Sequence, residues 1–415
     1  MEIVQCSIQD KLDNVPENIL ENIFSRLSMI DMVRTSVLST NWRYKWVSFP
    51  HLIFNDKCIP SSNGSLDHDK LVKIINHVLV VHRGPIQTFK ITSSQLQTCS
   101  EIDSWILSLS FHSLTVFELQ ISKSERHSVL PCLFSFKQLI RLMLIHCIIT
   151  LPVTFKGFSC LTSLYLQRVT ISDVALKCLV SSCHQLERLT LIHIDGPTHI
   201  EISNPELKYL HISGNFDGIC LKDLRLLVYA SFYATTGAYP DRQMITYNFS
   251  NILGSLLSIQ ELQLRGYFLQ YFTVSDAEMR LSSTYDHLKT ISFSLNAEDM
   301  HEILVAICFL NSFPNLEELD IMLWHSRRSA IALVMNIQEA KDQLKSTFNR
   351  LRVVHISQFY GIEIELVLVK FILANSPVLE TMKICHEIND TDTVLTLSKE
   401  LLRFKRASPQ AEIVY

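Results

Sequence analysis

The chain has 415 residues, 47% hydrophobic and only 19% charged, with a formal net charge of −4. A chain this apolar is not intrinsically disordered, and with no run of five like charges it offers no basic stripe to neutralise phosphates. Ten glycines, against leucine at about one residue in seven, exclude a collagenous chain and one built on several glycine-rich phosphate loops.

The first residues, MEIVQCSIQDKLDN, show no cationic stretch followed by a long apolar run, so no secretory signal is read there. Helical spacing begins at Val15 and continues through Ile19, Leu20, Ile23, Phe24 and Leu27. Pro16 suits a first helical turn, and Glu17 adds a charge that a helix N-terminus favours. Asp31 precedes a second amphipathic run with Val33, Val37 and Leu38. Trp42 and Trp46, four apart, share a helical face. A helical module of about 40 residues buries little surface alone. Two tryptophans and a line of aliphatics therefore either pack inward and onto the next segment, or leave part of a face to dock a partner. Residues 60–64, PSSNG, read as a loop beyond it.

From Ile86 a six-residue frame recurs: apolar, two variable, apolar, one variable, apolar. It holds Ile86, Phe89, Ile91; Leu114, Phe117, Leu119; Leu139, Leu142, Leu144; Leu161, Leu164, Leu166; and Leu186, Leu189, Leu191. Leu207, Leu210, Ile212 follow, then a degenerate unit near Leu226, then Ile259, Leu262, Leu264 and Leu288, Ile291, Phe293. The last units are Leu316, Leu319, Ile321; Leu351, Val354, Ile356; and Leu379, Met382, Ile384. The mean step is about 27 residues, inside the range of leucine-rich repeats. The last two apolar residues of each frame lie on one face of a strand, and the residue between them points the other way. Stacked units give a parallel sheet with one continuous core. The in-between residues are then expected on a concave surface: Met143, Tyr165, Thr190, His211, Gln263, Ser292, Asp320, His355 and Lys383. Three residues past the frame, where such repeats favour Asn or Cys, stand Cys147 and Asn215, but elsewhere Val169, Ile194, Trp324, Phe359 and Glu387. Uneven coils are expected.

Return segments read as helices. Ser172 and Asp173 cap one through Val174, Leu176, Leu179 and Val180. Glu298, Asp299 and Glu302 open another, where a helix start explains carboxylates better than catalysis does. Near the C-terminus a strand, a helix through Phe371, Ile372 and Leu373, a stop at residues 375–377 and a further strand make one more coil.

No catalytic, metal or cofactor site is expected. GxSxG, P-loop, GxGxxG and HExxH motifs are missing. Cys178, Cys183 and His184 form the best metal-like group, but cysteines five apart on a helix sit roughly 140° round it and do not converge. Arg327 with Arg328, and Arg403, Lys405 and Arg406, are too short for a nucleic-acid footprint. Eleven cysteines without a CxxC pair read as reduced thiols of a cytoplasmic or nuclear protein. The longest apolar run, residues 303–310, is far short of the roughly 20 that span a bilayer.

Two stretches carry a resemblance. VPENILENIFSRLSMIDMVRTSVLSTNWRYKWVSFPHLIF resembles the F-box of plant proteins. Its opening follows Leu-Pro-x-x-Leu-Leu-x-x-Ile-Leu-Ser-x-Leu, with Val15 in place of the first Leu and Phe24 in place of a later one. Its second half follows Val-Arg-Thr-Ser-Val-Leu-Ser-Lys-Arg-Trp-Arg-Tyr-Leu-Trp, with Thr40, Asn41 and Lys45 in place of Lys, Arg and Leu. FNRLRVVHISQFYGIEIELVLVKFILANSPVLETMKI, with ELLRFKRASPQAEIVY beyond it, is similar to the FBD region. The order F-box, leucine-rich repeats, FBD is that of a large plant family.

The resemblance implies an α/β chain in which a small helical F-box (8–55) is followed by a linker and capping segment (56–85). An irregular leucine-rich-repeat solenoid with a parallel sheet on its concave face (86–346) comes next, continued by the FBD region (347–415). It implies a non-catalytic substrate-recognition subunit of an SCF-type ubiquitin ligase, soluble in cytoplasm or nucleus, without cofactor, nucleic acid or membrane partner. Pro16, Ile19, Leu20, Ile23, Phe24, Leu27, Val33, Val37, Leu38, Trp42 and Trp46 would bind the Skp-family adaptor or support that binding, with Leu20, Ile23 and Trp42 as first anchors. Through the adaptor the chain would reach cullin and RING subunits. Tyr165, His211, Gln263, Asp320, His355 and Lys383 are the candidate contacts for a target protein. The alternative is a leucine-rich interaction scaffold working without ligase assembly. A small-molecule co-receptor is disfavoured, since Lys383 alone among the concave positions is permanently basic.

Overall fold

The computed structural model describes residues 15–38, 42–58, 68–122, 125–197, 199–216, 218–235, 255–256, 258–271, 285–299, 302–303, 305–306, 310, 312–325, 347–388 and 390–415. Thr40, Asn41, the 60–64 loop, Arg327, Arg328 and part of the 303–310 run lie outside the described residues. The chain divides into two compact units, Met1–Leu186 with Ile194–Gly196, and Glu187–His193 with Pro197–Tyr415.

The first unit opens with helices α1 (Glu17–Phe24) and α2 (Met29–Arg34) and the 3-10 segments Thr35–Val37 and Trp42–Ser48. Strands β1 (His51–Phe54), β2 (Thr88–Ile91), β3 (Val116–Gln120), β4 (His127–Ser128), β5 (Arg141–Ile145), β6 (Cys147–Ile148) and β7 (Ser163–Gln167) follow. Helices α3 (His68–Val81), α4 (Ser100–Leu109) and α5 (Asp173–Ser181) are return segments. β1, β2, β3, β5 and β7 pair in that order, all parallel. The register brings Phe89, Phe117, Leu142 and Leu164 into one row and Ile91, Leu119, Leu144 and Leu166 into the next, all buried. Burying one such side chain is worth roughly 1.5–3 kcal/mol, so the frame itself drives the stacking.

The second unit holds β8 (Arg188–Ile192), β9 (His199–Ser203), β10 (Tyr209–Gly214), β11 (Gly218–Lys222), β12 (Tyr229–Ala234), β13 (Glu261–Gly266) and β14 (Thr290–Asn296). It continues with β15 (Glu318–Trp324), β16 (Val353–Phe359), α6 (Glu363–Asn375), β17 (Thr381–His386), α7 (Thr391–Arg403) and β18 (Glu412–Val414). β8, β10 and β12 through β18 form one parallel sheet. Leu189, Leu210, Ala230, Leu262, Ile291, Leu319, Val354, Met382 and Ile413 make its inner row.

Three elements differ from the sequence reading. The sheet begins before Ile86: Phe49, Leu52 and Phe54 keep the same frame, all buried, and Leu52 pairs with Phe89. The segment read as linker and cap carries α3, which buries Leu71, Val72, Ile75 and Val78. The degenerate unit is Leu227, Ala230, Phe232, all buried, whereas Leu226 is exposed. At the other end Ser408, Ala411 and Ile413 repeat the spacing with a polar first member, and Ser408 Oγ donates to Leu379 O at 2.7 Å.

The turn after each strand has its own device. His146, Arg168, His193 and Gln358, each two past the frame, take the left-handed conformation at φ 50–60°. The next residue turns inward at Cys147, Val169 and Phe359, which are fully buried. In the first unit the chain then enters a second ladder. Thr170 N donates to Cys147 O, Ile149 N to Thr170 O, Asp195 N to Val169 O and Ile171 N to Asp195 O. Peptide groups pair with peptide groups here, which is why the position tolerates Val169 where regular repeats use Asn. Cys147 Sγ still donates to Ile145 O at 3.5 Å, and burial pushes its thiol up to about 12.

Candidate functional site

Two surfaces collect the sequence-derived residues. The first is the N-terminal helical module. Pro16 precedes α1, and its carbonyl accepts from Ile19 N and Leu20 N. α2 starts two residues before Asp31: Ser28 is its N-cap, accepting from Asp31 N at 3.2 Å, and Met29 and Met32 are its buried face. Val33, on which the sequence reading placed that face, is turned outward.

The structure divides the eleven module residues. Leu20, Phe24, Trp42 and Trp46 are buried. Phe24 meets the Trp42 ring edge-on at 5.8 Å and the Phe49 ring at 5.5 Å, so these aromatics tie the module to the start of the sheet. Ile23 and Leu27 are half-buried, and Pro16 is exposed. Ile19 (47%), Val33 (37%), Val37 (86%) and Leu38 (47%) are exposed to solvent. Two of the three first-choice anchors, Leu20 and Trp42, thus belong to the module's own core. The exposed aliphatics and Tyr44, which helical spacing did not single out, are the groups free to meet another molecule.

The second surface is the open face of the sheet. In the first unit Lys90, Glu118, Met143 and Tyr165 lie in register across it. Lys90 Nζ is 2.8 Å from Glu118 Oε1, and Tyr165 OH donates to Gln167 Oε1 at 2.7 Å. Burial raises the Tyr165 hydroxyl above the usual phenol range. Lys90 and Glu118 occupy the same frame position as Met143 and could have been chosen by that rule.

In the second unit the row runs Thr190, His211, Ser231, Gln263, Ser292, Asp320, His355, Lys383. Burial holds the His211 imidazole below its ordinary range. Gln263 Nε2 donates to Glu261 Oε1 at 3.0 Å. Asp320 is the centre of a network: Oδ2 accepts from Arg265 Nη2 at 2.6 Å and from Ser292 Oγ at 2.8 Å, while Oδ1 lies 3.2 Å from His355 Nδ1. His355 Nε2 is 3.5 Å from Cys385 Sγ. Lys383 is exposed. Arg265 and Cys385 escaped the sequence reading because they flank the frame's middle position, on the same face.

The buried carboxylates and the cysteines near α5 have structural places. Glu302 is buried, accepting from Asn296 N at 2.7 Å and Gln270 Nε2 at 2.8 Å, and desolvation pushes its carboxyl up to about 7. Glu365 Oε2 accepts from Tyr360, Gly361 and Ile362 N–H groups, closing the turn into α6. Its other oxygen stands 2.9 Å from His325 Nε2, an ion-pair distance off the hydrogen-bond line, and burial raises its carboxyl. Cys183 is buried while His184 is exposed, so they do not converge. Among the described residues no helix is long and apolar enough to cross a membrane.

A helical module carrying exposed aliphatics, followed by a parallel sheet of stacked leucine-rich coils, defines an F-box protein with leucine-rich repeats. Comparison with known proteins agrees. The F-box domain model matches residues 12–54, the model of the LRR repeats of the FBD-associated F-box protein At5g56370 matches 102–321, and the FBD model matches 348–384. The F-box/FBD/LRR-repeat protein At1g13570 of Arabidopsis thaliana is 35% identical over 98% of both chains. Another from that plant, At5g53840, is 25% identical over 99% of this chain and 96% of its own. The chain belongs to the F-box/FBD/LRR-repeat family.

Proposed function

We propose that the protein is the substrate-recognition subunit of an SCF-type ubiquitin ligase, with the helical module binding a Skp-family adaptor and the sheet face holding a target protein. The observation that carries this reading is the set of aliphatics that the module leaves in water, Ile19, Val33, Val37 and Leu38, beside a core already filled by Leu20, Phe24, Trp42 and Trp46. Water-exposed aliphatics in so small a module gain free energy when a partner covers them. The chain itself makes and breaks no bond in this role. It holds a target near the ubiquitin-charged enzyme that cullin and RING subunits bring, and such positioning lowers a bimolecular barrier by several kcal/mol.

The test is titration of a purified Skp-family adaptor onto the full chain and onto Val37→Asp with Leu38→Asp. Both side chains are exposed, so the variant keeps its fold and its melting transition. Adaptor affinity is expected to fall at least tenfold, equivalent to about 1.4 kcal/mol or more. Undiminished affinity would refute the assignment of this face. If no adaptor binds the unaltered chain while target capture persists, the scaffold reading replaces the ligase one.

A further inference from the structure

The open sheet face of the second unit brings three chemically distinct groups into line. A carboxylate only accepts hydrogen bonds, so Asp320 Oδ1, 3.2 Å away, holds the proton of neutral His355 on Nδ1. Nε2 is left with its lone pair, and Cys385 Sγ is 3.5 Å from it. Asp320 is itself fixed through its other oxygen by Arg265 and Ser292. Every member stands on a strand of one sheet, which keeps the spacing rigid. The site is also reachable: the His355 side chain is 40% exposed, and Cys385 is only partly covered. By contrast Cys147 and Cys183 are buried, with thiols pushed up to about 12 and about 11.

We propose that Cys385 is a nucleophilic thiol, with His355 as its base and Asp320 as positioning residue, that adds to soft carbon electrophiles of the α,β-unsaturated carbonyl class. Sulfur bonds to the β-carbon as the S–H proton passes to His355 Nε2. The carbon–carbon π pair moves toward the carbonyl oxygen as an enolate, and the proton then returns from Nε2 to the α-carbon. The net change is addition of S–H across the double bond, with no oxidant or cofactor. Lys383, in register with His355 on the same face, supplies a cation suited to the enolate oxygen. This modification site is independent of adaptor binding, so its failure would leave the ligase reading untouched.

The experiment treats the full chain at pH 7 with N-ethylmaleimide and follows each cysteine by peptide mass spectrometry, with exposed Cys220 as internal reference. Alkylation of Cys385 is expected to slow about tenfold or more in His355→Ala, to recover when free imidazole is added, and to slow in Asp320→Asn but less in Asp320→Glu. The Cys220 rate should stay constant throughout. Equal Cys385 rates in the unaltered chain and His355→Ala, or no recovery with imidazole, would overturn the proposal. Should His355→Ala lose its melting transition, His355→Gln, which keeps more of the bulk, carries the same rate comparison.

Discussion

At the residue scale, Glu302 shows how burial converts a helix-start carboxylate into a pH-sensitive element. Desolvation is the largest influence on it and outweighs two donated hydrogen bonds, leaving its carboxyl near 7 against about 4.3 in an unfolded chain. The folded state therefore binds this proton more tightly than the unfolded state. The associated stability is full below about pH 4 and is lost as pH rises through about 7, a change of roughly 4 kcal/mol. Thermal melts from pH 5 to pH 8 should show this decline, and Glu302→Gln, which cannot ionise, should flatten it. An unchanged slope in the variant would refute the assignment. The scarce glycines carry a second residue-scale consequence. Gly157 sits at φ +95°, and a Cβ there would fall 1.9 Å from Ser182 O. Gly157→Ala should cost about 1–3 kcal/mol in chemical denaturation, because backbone rather than a flexible side chain must move.

At the element scale, the strand frame was legible and the turns were not. Each frame leucine announces its burial by type and spacing, so a period of two inside a longer repeat could be read directly. Histidine is among the few side chains enriched in the left-handed region, so His146 and His193 carry a weak hint of it, but nothing in the identity of Arg168 does. The turn is imposed by the second ladder, whose backbone pairing across coils is invisible to local pattern. In α2 the buried pair is Met29 and Met32, while Val33 is exposed; apolar type alone does not separate them within one short helix. The turn yields a prediction. At Arg168, φ 51°, Arg168→Gly should leave the melting temperature close to that of the unaltered chain. Arg168→Val, whose branched Cβ is least compatible with this conformation, should lose about 1–2 kcal/mol. Equal effects would show that the backbone there is free to relax.

At the scale of the whole molecule, the family and the order of its parts followed from sequence because each part has a pattern of its own. The split of the module's apolar residues into buried and exposed did not, because spacing identifies apolar faces without saying which face the fold covers. Leu20 and Val37 look alike as letters; one is buried in the chain's own core, and the other is 86% exposed. That division predicts two separable classes of variant. Charge placed on the module's exposed aliphatics, as in Val37→Asp, should weaken adaptor binding while leaving target capture from cell extract intact. Charge reversal on the sheet face, as in Lys383→Glu, should weaken target capture while adaptor affinity stays within twofold. Both sites are exposed, so both variants should melt with the unaltered chain. A third variant, Leu20→Ala, removes a buried side chain and should cost about 2–5 kcal/mol, lowering adaptor binding only through loss of the folded module. The three are told apart by measuring adaptor affinity, target capture and melting on each. If Lys383→Glu instead disturbed adaptor binding as strongly as Val37→Asp does, the two surfaces would have to be coupled, and the assignment of one face to each partner would fall.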